Sequence, residues 1–230
     1  MRARILLFLL VLLPSPTWAW DQSVLSDVRF SPDGRFFSFV EYVEPEAEGR
    51  GFATMYVIDT TKNVWVPQTP LRVALEGEGA SGKAALAEVR VKGKALVDRY
   101  GLADVGTPLL PLQNVDRADP YNRRQVVSLA DRQQRLELFE RKAQTAHACT
   151  SDTPDGQDFK LVLSGPTTIL LQDYVGTLPR SRGCADGYDI AAAYTHEGGE
   201  RAVLAVLVGV YTPGWEGSDR HLIAVTKVLP

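Results

Sequence analysis

Residues 202–211 read AVLAVLVGVY, ten apolar or small side chains in succession, and after the polar stretch TPGWEGSD a second apolar segment, HLIAVTKVL, follows at 221–229. A bilayer-spanning helix needs about 20 apolar residues, roughly twice this run. Valine, leucine and tyrosine at this density suit instead a central β-strand covered on both faces, because a strand with one wet face would alternate polar and apolar side chains. The two segments are therefore expected to be buried strands joined by one exposed loop.

The N-terminus carries a different signal. Arg2 and Arg4 precede an apolar stretch at 5–13, which ends at Pro14 and a small-residue exit at Thr17, Trp18 and Ala19. This is the layout of a secretory leader: residues 1–19 are expected to be cleaved off, leaving 20–230 as one secreted β-rich domain in the periplasm or outside the cell. The apolar stretch is too short to span a membrane, so no stable insertion is expected after cleavage, an uncleaved anchor being the alternative. Without Arg2 and Arg4 the chain keeps 23 basic residues against 28 acidic ones, a net charge of about −5. That balance, with no dense basic stripe, speaks against nucleic acid as a partner. The only cysteines are Cys149 and Cys184. Export takes them to a compartment where disulfides persist, so they are expected to pair; a reactive thiol would require one to stay free.

Residues 27–43 (DVRFSPDGRFFSFVEYV) read as a β-hairpin, with Pro32 pre-set for the turn and Gly34 at a left-handed position. Phe37 and Phe39 fall on one face and Phe36, Ser38, Val40 and Tyr42 on the other, so both faces are expected to be partly covered. Strands follow at 52–59, 64–66 and 71–75. A helix is predicted at about residues 83–100, where Leu86, Val89, Gly93, Leu96, Val97 and Tyr100 form one apolar stripe between a Ser81 N-cap and a terminating Gly101. Gly93 weakens it by about 1 kcal/mol and calls for a packing partner. Arg90, Lys92, Lys94 and Arg99 read as a solvated face. Residues 102–124 read as connection, and further strands are expected at 125–129, 136–142, 159–164, 167–174 and 188–195. With only one strand–helix–strand unit, the fold is expected to be α+β and mainly antiparallel β, a sandwich or partial-propeller-like sheets with one packed amphipathic helix. SPDG at 31–34 and TPDG at 153–156 echo each other without the fixed period of a propeller.

Several motifs resemble chemistry. GEGASGKA at 77–84 satisfies G-x-G-x-x-G, and it misses the P-loop pattern only at Ala84, where a hydroxyl would bind magnesium. A dinucleotide site also needs a second parallel strand ending in an acidic residue about twenty positions on, and that region is still helix. A turn with a helix cap is the expected reading, with no nucleotide and no cofactor. His147, His196 and His221 are far apart and read as solvated turn histidines. Asp152, Asp155 and Asp158 lack the calcium-loop spacing, so no metal is expected. There is no G-x-S-x-G elbow and no catalytic residue to name, although a triad built from distant residues is recognised only by geometry.

The candidate working surface is the loop at 212–219 with the residue after it. Trp215, beside Glu216, places an amphipathic ring and a carboxylate on a turn between core strands, and Asp219 and Arg220 close that turn. These four are the candidate binding residues. The alternative is that Trp215 folds back over the end of the sheets while Asp219 and Arg220 pair locally.

The leader, FSPDGRFFSFVEY, the helix ending in LVDRYGL, RGCADGYDI and GWEGSDRHLIAV together resemble the uncharacterised bacterial predicted secreted proteins grouped as domain of unknown function 2259. The resemblance covers nearly the whole exported chain. It implies location and architecture, and it carries no activity or catalytic residue to transfer. The expected function is a non-catalytic binding or structural module of the envelope, acting on an envelope protein or ligand. The alternative is an envelope hydrolase with a dispersed site.

Overall fold

The computed structural model describes residues 23–44, 49–113, 124–130, 133–145, 149, 156–179, 182–198, 201–214 and 218–230. The SPDG turn joins β1 (Ser23–Phe30) to β2 (Phe36–Val43), with Gly34 at φ +68°. The Ser31 hydroxyl accepts the Phe36 N–H and donates to Asp33, closing the turn from inside. β3 (Arg50–Asp59) pairs antiparallel with β2, and β4 (Val64–Trp65) and β5 (Leu71–Glu76) share its other edge. α1 (Gly82–Tyr100) follows; the Ser81 hydroxyl accepts the Ala84 N–H, and Gly101 ends the helix in the left-handed conformation.

Residues 107–110, expected to be connection, instead form an edge strand, β6 (Thr107–Leu110). β7 (Arg124–Ser128), β8 (Arg135–Thr145), β9 (Gly156–Ser164), β10 (Ile169–Gln172) and β11 (Thr177–Leu178) build a second sheet, in which β11 pairs with β8 in parallel. The chain closes with β12 (Gly187–Gly198), β13 (Arg201–Pro213) and β14 (Ser218–Val228), which with β6 form a third sheet in the order β14-β13-β12-β6. The fold is thus α+β and β-rich, and its sheets stack as layers in the manner of a sandwich.

The order of the layers explains the long apolar run. Leu204, Val206, Val208 and Val210 on one face of β13 pack with Leu136, Leu138, Phe159 and Leu161 of the β7–β11 sheet. Val203, Ala205 and Leu207 on the other face pack with Phe30, Phe37, Phe39 and Tyr56 of the β1–β5 sheet. A strand with apolar neighbours on both sides has no polar face to alternate with. Rings on the β1–β5 side meet small residues opposite, Ala191, Ala192 and Ala205, so the two sheets interlock by size. The outer face of the β1–β5 sheet carries α1, where Val40, Met55 and Val57 meet Ala85, Val89 and Leu96. Gly93 finds its partner here, since a Cβ at that position would lie 2.5 Å from the Met55 sulfur.

Cys149 and Cys184 form a disulfide with their Cα atoms 5.7 Å apart, tying the segment before β9 to the segment before β12. Among the described residues no helix is long and apolar enough to cross a membrane.

Candidate functional site

Strand β14 is the edge of its sheet, and an open edge offers unpaired N–H groups. Here side chains from the β1–β5 sheet cover it. The Leu222 N–H donates to Glu41 Oε2 at 2.7 Å, and the Thr226 N–H donates to Asn63 Oδ1 at 2.8 Å. Around the first of these contacts lies a cavity of about 190 Å³, with Ser23, Glu41, Phe52 and Thr54 on one side and Asp219, Arg220 and His221 on the other. Two of the four candidate binding residues therefore line one cavity; Trp215 and Glu216 lie outside the described residues.

Arg220 does not pair with Asp219, as the local alternative supposed. Its guanidinium grips Asp189 of β12 in a two-pronged contact, Nε to Oδ1 at 3.0 Å and Nη2 to Oδ2 at 2.7 Å. Both side chains are buried, at 1% and 4% exposure. Gly209 makes the contact possible. It stands between the two residues on β13, and a Cβ there would come within 1.9 Å of Asp189 Oδ1 and 2.5 Å of Arg220 Nε. Nη2 also donates to the Gln113 carbonyl at 3.2 Å, whereas Nη1 has no partner among the described residues.

Two titratable groups on the cavity are driven toward their neutral forms. Burial pushes the Glu41 carboxyl up, against hydrogen bonds from the Tyr56 hydroxyl and the Leu222 N–H that pull it down. Burial, helped by the Arg72 charge, lowers His221 to about 4. Tyr56 is pushed up by burial and by the neighbouring Glu41 carboxylate. The Ser23 hydroxyl donates to the Arg220 carbonyl at 2.8 Å.

Other expectations land elsewhere. The phosphate-binding lookalike is filled by the chain itself: the Gly82 and Lys83 N–H groups donate to the Glu44 carboxylate at 2.8 and 3.0 Å, where an anion would sit at a helix N-terminus. Its neighbouring glycines serve close packing, since a Cβ on Gly51 would meet the Ser81 carbonyl at 2.0 Å and one on Gly82 the Val43 carbonyl at 2.2 Å. Asp158 is fully buried and receives Arg182 Nη1 and the Val175 and Gly176 N–H groups, so that it anchors the loop at 175–176. His196 is not a solvated turn residue; it lies on β12 with its ring stacked 5.1 Å from Phe30. His221 is likewise on a strand and against the cavity, while His147, Asp152 and Asp155 lie outside the described residues. Among the described residues no three His, Cys, Asp or Glu side chains group as metal ligands.

The family profile of the predicted secreted proteins DUF2259 matches residues 39–227. The chain belongs to that family. The matched span runs from within β2 into β14 and so takes in the helix, the three sheets apart from β1 and the ends of β2 and β14, both cysteines and the Asp189–Arg220 pair. The family is described as secreted, in keeping with the disulfide. No curated protein and no solved structure matches the chain.

Of the residues on this cavity, the sequence reading named Asp219 and Arg220 as candidates, placed His221 in a solvated turn, and did not single out Ser23 or Glu41, nor Asp189 behind Arg220. A signal was present in two of them. Glu41 interrupts FFSFVEYV and Asp189 interrupts GYDIAAAY, each a lone acid inside a strand that is apolar on both faces.

Proposed function

We propose that residues 20–230 form one exported, non-catalytic binding module of the bacterial envelope, released from a leader at 1–19. Its working surface is the turn end of the β13–β14 hairpin. Asp219 and Arg220 form the described part of that surface; Trp215 and Glu216, the other two candidates of the same loop, lie outside the described residues. The observation that carries this reading is the cavity itself: two of its ionisable walls, Glu41 and His221, are pushed toward neutral forms, and its polar groups are held in place by the fold. Ser23 gives its proton to a backbone carbonyl, both Glu41 oxygens accept hydrogen bonds, and Arg220 is clamped to Asp189. Such walls suit recognition of a small uncharged polar group, and a nucleophile would need a base that these contacts do not supply.

The test is amide and indole NMR on the mature, oxidised protein, titrated with neutral sugars, amides and amino-acid amides. Saturable shifts confined to the Trp215 indole and the Thr54 and His221 amides are expected. A panel that moves none of them at millimolar concentration removes the site. Turnover of chromogenic ester, amide or glycoside substrates that is lost in Ser23→Ala or Glu41→Gln would establish a hydrolase instead.

A further inference from the structure

A second, larger cavity of about 430 Å³ lies between α1 and the β1–β5 sheet, on the far side of that sheet from Arg220. Its volume falls in the range of small-ligand sites, about 300–1,000 Å³. The floor is the Met55 thioether, which reaches the helix because residue 93 has no side chain. Val97 and Val91 form the helical wall, and Val91 is 77% exposed, an apolar side chain left uncovered by the chain around it.

The rim is charged and unbalanced. Arg90 holds Asp27 through Nε at 2.6 Å and Nη2 at 3.1 Å, and Lys94 holds Asp98 at 2.7 Å. The third cation on the cavity, Arg29, has no hydrogen bond or ion pair with any described residue, so one positive charge is uncompensated. The backbone gives a second, independent sign. The pairing of β1 with β2 slips between Ser26 and Arg29, and Asp27 sits at φ +49°. Bulges of this kind re-aim side chains beside functional sites, and positive φ is uncommon in a residue with a Cβ. This one sets Asp27 against Arg90 on the helix and leaves Arg29 on the cavity.

We infer that this groove binds a small soluble amphiphile with a single negative charge, its alkyl body on Met55, Val91 and Val97 and its carboxylate on Arg29. A guanidinium with free donors matches a carboxylate in a two-pronged contact, and methionine adapts to an apolar body of varied shape. A membrane surface is a poorer fit, because recognition of anionic lipid uses clusters of about four to eight basic residues and this rim has one unpaired.

Isothermal titration of the mature, oxidised protein with decanoate, decanol and decyltrimethylammonium tests the inference. Decanoate is expected to bind saturably below its micellar range, with the alcohol and the cation roughly tenfold or more weaker. Arg29→Gln is expected to weaken decanoate by a similar factor. So is Val91→Glu, at an exposed position where folding is not at stake, while Lys92→Gln leaves binding unchanged. Equal binding of decanol, undiminished binding by either Arg29→Gln or Val91→Glu, or no saturable decanoate binding would overturn it. Co-sedimentation with phosphatidylglycerol vesicles in place of decanoate binding would assign the groove to a membrane surface and overturn it as well.

Discussion

Replacing Gly209 with alanine puts the smallest possible side chain into the one place on β13 that has no room for it. The new Cβ would stand 1.9 Å from Asp189 Oδ1 and 2.5 Å from Arg220 Nε, well inside contact distance, so the pair has to separate or the strands have to move apart. Both charged side chains are almost wholly buried, at 1% and 4% exposure, and water cannot take over the lost hydrogen bonds. Breaking a buried ion pair typically costs about 3–5 kcal/mol, and Gly→Ala returns about 0.4–1 kcal/mol by stiffening the unfolded chain. The net expectation is a loss of about 2–4.6 kcal/mol, a large part of a total stability of about 5–15 kcal/mol. Urea unfolding of the oxidised protein, followed by fluorescence and circular dichroism, reads this as a lower midpoint at unchanged slope. The same substitution in an Asp189→Ala, Arg220→Met background should cost less than about 1 kcal/mol, because the charges it would disturb are gone. A loss below about 1 kcal/mol in the native background, or equal losses in both, would refute the assignment of Gly209 as the residue that admits the pair.

Glu44→Gln should destabilise the protein by about 1 kcal/mol, since a neutral amide caps the Gly82 and Lys83 N–H groups less well than a carboxylate; millimolar ATP or NAD should raise the melting temperature of neither form. The disulfide closes a sequence separation of 35, and replacing both cysteines with serine should lower stability by about 3–4 kcal/mol in urea unfolding. Mass analysis of the native protein should find no thiol open to alkylation. The His221 ring stays neutral in the folded state down to about pH 4, whereas the unfolded ring takes its proton near 6.5. Its contribution is therefore complete above pH 6.5 and is lost as the pH falls toward 4, a change of about 3 kcal/mol. His221→Gln should flatten that decline, read as the difference between the two pH–stability curves. Glu41, pushed the other way, changes stability in the opposite sense and is common to both proteins.

Strands announced themselves wherever burial leaves a period. The alternation of Phe37 and Phe39 against Phe36, Val40 and Tyr42 anticipated two covered faces, which proved to be the closing sheet and the helix. β6 escaped because its four residues, TPLL, include a proline and become a strand only by pairing with β12. β11 escaped because a two-residue parallel contact has no sequence period. At the candidate site Arg220 was legible as a charged residue at the foot of a hairpin, but the partner assigned to it was the adjacent acid.

What the sequence determined by itself was local: where the chain turns, which segment is helical and how it is capped, that the two cysteines have each other to pair with, and that 202–211 is wrapped in apolar neighbours. These follow from backbone preferences and from water's exclusion of apolar surface, both of which act on residues a few positions apart. Which layer lies on each face of β13 was decided only when sheets distant in sequence met, and that Arg220 crosses a glycine to reach Asp189 only when β12, β13 and β14 paired in this register. Those contacts depend on side chains arriving at one point from separate strands, 31 residues apart in the case of the ion pair, and no spacing along the chain encodes that meeting.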